Sequence, residues 1–167
     1  FLETTVTGLD LSDTHLKQTT FQEPDFREAN LKGVSGEMAI FLDATFGAQD
    51  LSGLTFTHSQ FMGSDLAGCN LSKATMTQCN FQDSDLSGAT LDGLKAEQAL
   101  FVGAKLVGAS VNGATLTQSL FCDADLSGAV FAGSHLLQCN FQKATCKAGN
   151  FANCELTYAD FSHADLT

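Results

Sequence analysis

Six Cys, four His and 19 Asp or Glu give this 167-residue chain the side chains that disulfide, metal and acid–base chemistry require. Two thiols can form a disulfide only where their Cα atoms come within about 7 Å. A zinc ion needs three or four ligands within about 2.3 Å. Asp83-x-Asp85-x-Ser87-Gly88 and Asp123-x-Asp125-x-Ser127-Gly128 open like calcium-binding loops, but the twelfth position, where the loop needs Glu, holds Leu94 or Ser134. Asn70-Leu71-Ser72 reads as a glycosylation sequon. Which of these residues can meet depends on the elements that position them.

The positioning element is a repeat of five. Counted every fifth residue from Phe1 to Leu166, 34 positions hold 14 Phe, 14 Leu, Val6, Val111 and Met76, with Gly36, Ala96 and Cys146 as the departures. All 14 Phe of the chain fall on this register, termed position i, while Trp is absent and Tyr occurs once, so a single kind of interior niche selects Phe. Two residues earlier, 27 of 33 positions are Ala, Ser, Thr, Cys or Gly. A short strand alternates its side chains, so small i−2 and large i face inward while i−1 and i+1 face water. Eight Asp and five Asn occupy i−1, and 12 of the 15 Gly lie at i+2, where the chain must turn a corner.

These positions, plain in Ala124-Asp125-Leu126-Ser127-Gly128 and Ser84-Asp85-Leu86-Ser87-Gly88, resemble the pentapeptide-repeat family, with consensus A-(D/N)-L-x-x, over the whole chain. The resemblance implies an all-β fold, a right-handed quadrilateral β-helix with four pentapeptides per coil. The residues support that coil independently, because Phe1, Phe21, Phe41, Phe61, Phe81, Phe101, Phe121, Phe141 and Phe161 follow one another at intervals of 20. Residues 1–167 are therefore expected to form one domain of about 8.5 coils without large loop insertions. At about 4.8 Å per coil the rod is about 40 Å long, with a filled interior and no substrate pocket. Leu91–Phe101 echoes Leu31–Phe41: in both, i−2 becomes large (Val34, Leu94) where the next i becomes small (Gly36, Ala96), which conserves interior volume.

On this frame the reactive residues scatter. Cys69, Cys79, Cys139 and Cys154 stand at i−2 and Cys146 at i, as buried reduced thiols, while Cys122 at i+1 is the exposed exception. No two Cys are 20 residues apart; Cys79 and Cys139 share a column but lie about 14 Å apart by the strand spacing. His15 and His135 share a column six coils apart, and His58 and His163 lie on others. No metal, no cofactor and no nucleophile with a base and an orienter can be assembled, so the chain does not read as an enzyme. Reduced thiols suit a cytoplasmic or cytoplasm-derived protein, a secreted effector included. No signal peptide opens this segment, and no apolar run approaches the roughly 18 residues of a membrane span.

Two surface features remain. Glu3, Glu23, Asp43, Asp83 and Asp123 share one i+2 column, and Asp25, Asp65, Asp85, Asp125 and Asp165 share the i−1 column around the same corner. Together they form an acidic edge, with Lys105 and Lys143 as the basic interruptions. On the outside of the Phe-column face, Ile40, Leu42 and Met62 form one apolar cluster and Leu100, Val102, Leu120 and Cys122 a second. Contiguous apolar surface of this kind marks a contact site. The formal net charge of −11 argues against direct binding to nucleic acid or an anionic membrane.

The expected function is a rigid, non-catalytic protein–protein interaction or scaffold module. The chain begins with Phe1 and both ends fall mid-repeat, so it is expected to be excised from a larger bacterial protein. The resemblance places secretion- and effector-associated proteins among the settings of such modules. The expected partner is another protein or a neighbouring domain, with homodimerisation through an uncapped end or the apolar strip as a further arrangement. The resemblance also implies an alternative, a DNA mimic that binds gyrase or topoisomerase. Duplex DNA carries a charge per about 1.7 Å, hence over about 20 on such a rod, against the ten of the acidic edge.

Overall fold

The computed structural model of the chain describes Val6 and residues 8–167. Phe1 and Glu3, at the head of the Phe column and of the acidic edge, lie outside the described residues. The chain winds into a right-handed quadrilateral β-helix. Five three-residue strands occur in its early coils: β1 (His15–Lys17), β2 (Thr20–Gln22), β3 (Ser35–Glu37), β4 (Ile40–Leu42) and β5 (Thr55–Thr57). They pair in parallel as β1-β3-β5 and β2-β4. Beyond them, single parallel bridges link i−1 residues 20 apart, as in Asp65↔Asp85 and Leu100↔Leu120, as far as Thr145↔Asp165. The coil is thus twenty residues throughout.

The five-residue unit works because four of its five amides have their own backbone acceptors. In the unit around Leu71, Asn70 N–H donates to Gln49 O of the preceding coil (3.0 Å), while Leu71 N–H and Lys73 N–H donate to Thr90 O and Asp92 O of the next (2.7 and 2.9 Å). Ala74 N–H closes the corner onto Leu71 O at 3.1 Å. From Gly8 to His163, every i+2 residue except Glu28 has φ between 50° and 72°. A positive φ at that residue, with the corner hydrogen bond, makes a type II turn, and Gly, Asn or Asp bears it at least cost. One amide per unit, at i+1, is left over.

The Asp and Asn at i−1 take that amide. All thirteen accept a hydrogen bond from the N–H two residues on, from Asp10–Ser12 to Asp165–Thr167, at 2.8–3.3 Å. A short carboxylate or amide reaches its own backbone in this way, which is the reason these two residue types dominate the position.

Inside, the Phe column is a stack. Rings from Phe21 to Phe161 follow one another at centroid distances of 4.5–5.5 Å, with planes within 18° of parallel. Phe81, Phe101 and Phe121 are no more than 1 % exposed. At Gly36 a Cβ would run into the ring of Phe56 in the next coil of the same column. The vacancy at Gly36 is therefore filled by the ring of Phe56, and an apolar cavity of about 10 Å³ lies among Leu16, Leu31, Val34, Leu54 and Phe56.

Candidate interaction surface

The buried i−2 residues do more than fill space. Ser64 Oγ accepts from Ala44 N–H (3.1 Å) and donates to Phe41 O (3.1 Å), and Ser134 joins Ala114 N–H (3.0 Å) to Val111 O (2.6 Å). Each hydroxyl completes a corner of the preceding coil. The thiols of Cys79, Cys139 and Cys154 donate to the carbonyls of Phe56, Leu116 and Phe131, the same offset of 23 residues, at 3.5, 2.9 and 2.9 Å. Repeat spacing identified Cys79 and Cys139 as interior residues; Cys154, expected to be buried with them, is only half-buried because it lies in the last coils, where the following layer is incomplete.

All six Cys are free thiols. Burial pushes Cys79 and Cys139 up to about 12 and Cys69 and Cys146 up to about 11. A thiol raised in the fold and titrating near 8.5 in the unfolded chain stabilises the fold fully below that lower value. The contribution is lost as pH rises toward the folded value. Urea midpoints are thus expected to hold from pH 7 to 8 and then fall, by roughly 1–2 kcal/mol per buried thiol by pH 10. A Cys79→Ser, Cys139→Ser variant, whose hydroxyls keep the corner bond, should fall less; an unchanged slope would count against buried neutral thiols.

Among the described residues, no group of three or more His, Cys, Asp or Glu could hold a metal ion. Nor is any helix there long and apolar enough to cross a membrane. What the surface offers is a sorted set of columns.

The apolar strip stands where the register puts it. Ile40, Leu42, Met62, Leu100, Val102, Leu120 and Cys122 all lie on the outer side of the Phe-column face, each half-buried by its neighbours. Leu100 and Leu120 are bridged directly in adjacent coils, and Gln60, Asn80 and Gln82 separate the two clusters. Met38, 43 % exposed, borders the first cluster at the preceding corner. The strip pattern consists of i−1 and i+1 positions, and Met38 lies one position outside it, at i+2.

The same corner column carries a ladder of amides. Gln98 Nε2 donates to Gln118 Oε1, and Gln118 Nε2 to Gln138 Oε1, both at 3.0 Å. Gln at 78, 98, 118 and 138, one per coil, was the signal in the sequence. This neutral ladder borders the strip on one side; the i+2 acids border it on the other.

Those acids differ in kind. Glu23, Asp43, Asp83 and Asp123 are exposed, and none of them takes part in an ion pair among the described residues. The i−1 members, Asp25, Asp65, Asp85, Asp125 and Asp165, are bound to their own backbone. Asp25 also pairs with Arg27 at 2.6 Å, and hydrogen bonds from that guanidinium lower its carboxyl to about 2. Asp165 is lowered by hydrogen bonds from Thr167 and pairs with Lys147 at 3.2 Å. Half of the acidic edge is therefore corner chemistry, and part of its charge is already neutralised.

A family model described as pentapeptide repeats matches residues 3–35, 79–118 and 124–167, and a second so described matches residues 56–94. No curated protein matches the chain significantly. Among solved structures, HetL from the cyanobacterium Nostoc sp. strain PCC 7120, a protein involved in heterocyst differentiation regulation, is 26% identical over 99% of this chain and 84% of its own, with a TM-score of 0.68. Full-length QnrB1, a plasmid-mediated fluoroquinolone resistance protein, is 19% identical over 100% of this chain and 93% of its own, with a TM-score of 0.76.

Proposed function

Because this chain belongs to the pentapeptide-repeat family, we propose that it is a rigid, non-catalytic module of a larger bacterial protein that binds a protein partner through the outer surface of its Phe-column face. One observation carries the reading. Seven apolar side chains gather on this face, while the outward positions of the other three are mostly Ser, Thr, Asp and Asn. The stacked rings and closed hydrogen bonding beneath hold the strip in fixed register, so little conformational entropy is lost on docking.

The test is a double variant, Leu100→Glu with Leu120→Glu. Both side chains point outward, so the far-ultraviolet spectrum and urea midpoint should stay close to wild type. Binding of the partner or neighbouring domain should fall by about 100-fold or more, as for charges set in the centre of an interface. Retained binding in a folded double variant would sink the strip reading.

Mimicry of duplex DNA is the second reading, and the shape likeness to QnrB1 supports it. The charge supports it less. Five of the ten acids on the edge are tied to their own corners, and two of those five are ion-paired. A gyrase supercoiling assay with the whole chain decides the matter, since absence of both inhibition and protection removes that reading.

A further inference from the structure

We infer that the partner segment seated on this face is an amphipathic α-helix with an apolar ridge and Lys or Arg along one flank only. The inference rests on the strip reading above and specifies its occupant.

The ladder amides of this face are already paired between coils, leaving outward only single i+1 amides, one per coil. The amides of Leu100 and Leu120 are bound to Cys79 O and Ala99 O in the neighbouring coil, both at 3.0 Å. An added strand would find no free ladder on this face, so recognition must run through side chains.

The spacing of the clusters suits a helix laid along the rod. The cluster of Ile40, Leu42 and Met62 and that around Leu100 and Leu120 are centred three coils apart, about 14 Å at the strand spacing. An α-helix returns to the same side after three turns, about 11 residues and about 16 Å, which lies within about 2 Å of that spacing.

The flanks fix the charge pattern. On one side stands the amide ladder of Gln98, Gln118 and Gln138, whose inner donors and acceptors satisfy each other. On the other, Asp43 and Asp123 follow the strip residues Leu42 and Cys122, and Asp83 follows Gln82 between the clusters; the three stand two coils apart, which is about 9.6 Å. Seven residues of helix span about 10.5 Å, so basic residues at that interval would meet successive carboxylates. A helix basic on both flanks would gain nothing on the Gln side; one with no basic flank would leave the acids unanswered.

The test uses the whole chain and three fluorescein-labelled helical peptides of about six turns, read by fluorescence anisotropy at low and physiological salt. The first has a Leu ridge with Lys at seven-residue intervals on one flank. In the second Gln replaces Lys, and in the third Ser replaces the Leu ridge. The first should bind, more weakly as salt rises. The second should bind about tenfold more weakly, and the third not at all. Asp43→Asn with Asp83→Asn and Asp123→Asn should make the first peptide behave like the second. Leu100→Glu with Leu120→Glu should abolish all binding.

Equal binding of the first two peptides, both lost in the Leu double variant, would overturn the one-flank assignment while leaving the strip reading intact. Binding of the first peptide that survives the Leu double variant would overturn both. No binding by any peptide overturns the helix. So does self-association in sedimentation that the same variant abolishes, because it assigns the face to a second copy.

Discussion

Phe81→Asp is expected to unfold the middle of the rod. Its ring is 1 % exposed and stacked between Phe61 and Phe101, at centroid distances of 5.1 and 4.9 Å. The substitution removes an aromatic side chain, which alone costs about 3–5 kcal/mol, and leaves an unpaired carboxylate in a buried apolar layer. Total stabilities of domains are about 5–15 kcal/mol, and a solenoid's coils lean only on their neighbours. The urea transition should therefore move to much lower denaturant or split in two, with the coils around Phe81 lost first. Phe81→Leu, which keeps the column apolar, should cost only about 1–2 kcal/mol. A Phe81→Asp protein with a wild-type midpoint would contradict an inward, stacked column.

Placing Leu, one of the two commonest residues at i, at Gly36 should harm the protein. Leu is favoured at i elsewhere, yet at position 36 a side chain would enter the space of the Phe56 ring. That ring is itself buried and cannot swing aside, so Gly36→Leu should destabilise by about 3 kcal/mol, the upper end for overpacking. Phe56→Leu alone opens space and should also lower the urea midpoint. Combined, the two changes exchange large for small within one column, and the double variant should be more stable than the sum of the single effects predicts, by about 1–3 kcal/mol. Strict additivity would mean that Gly36 and Phe56 do not share the volume.

The register carried nearly all of the fold to the reader of the sequence. Phe at intervals of 20 fixes the coil, and the alternation of i−2 and i against i−1 and i+1 sorts inside from outside. It does not name hydrogen-bond partners, because those depend on which atoms of adjacent coils face each other. Hence the bond from Cys139 to Leu116 O and the closing of the i+1 amide by Asp or Asn came only with the structure. The residue that compensates Gly36 was not legible: the expected neighbour was Val34, two residues before it, whereas the ring that takes the space is Phe56, one coil on. On the surface, the strip and the edge were visible as columns. Met38 and the Gln ladder stand at i+2 on the other corner of that face, outside the i−1 and i+1 pattern that defines the strip and without a charge to mark the column.

The closed hydrogen-bond scheme of the five-residue unit also governs how such a gene can change length. Duplicating or losing twenty residues restores every offset, and each downstream column keeps its face. Loss of five residues leaves the repeat and its ladder offsets intact, yet turns all that follows by a quarter revolution. A deletion of one pentapeptide between residues 62 and 100 would carry Leu100 and Leu120 to a different side of the rod from Ile40 and Leu42. Binding surfaces of this architecture are therefore inherited in steps of twenty residues and broken in steps of five, while the fold tolerates both.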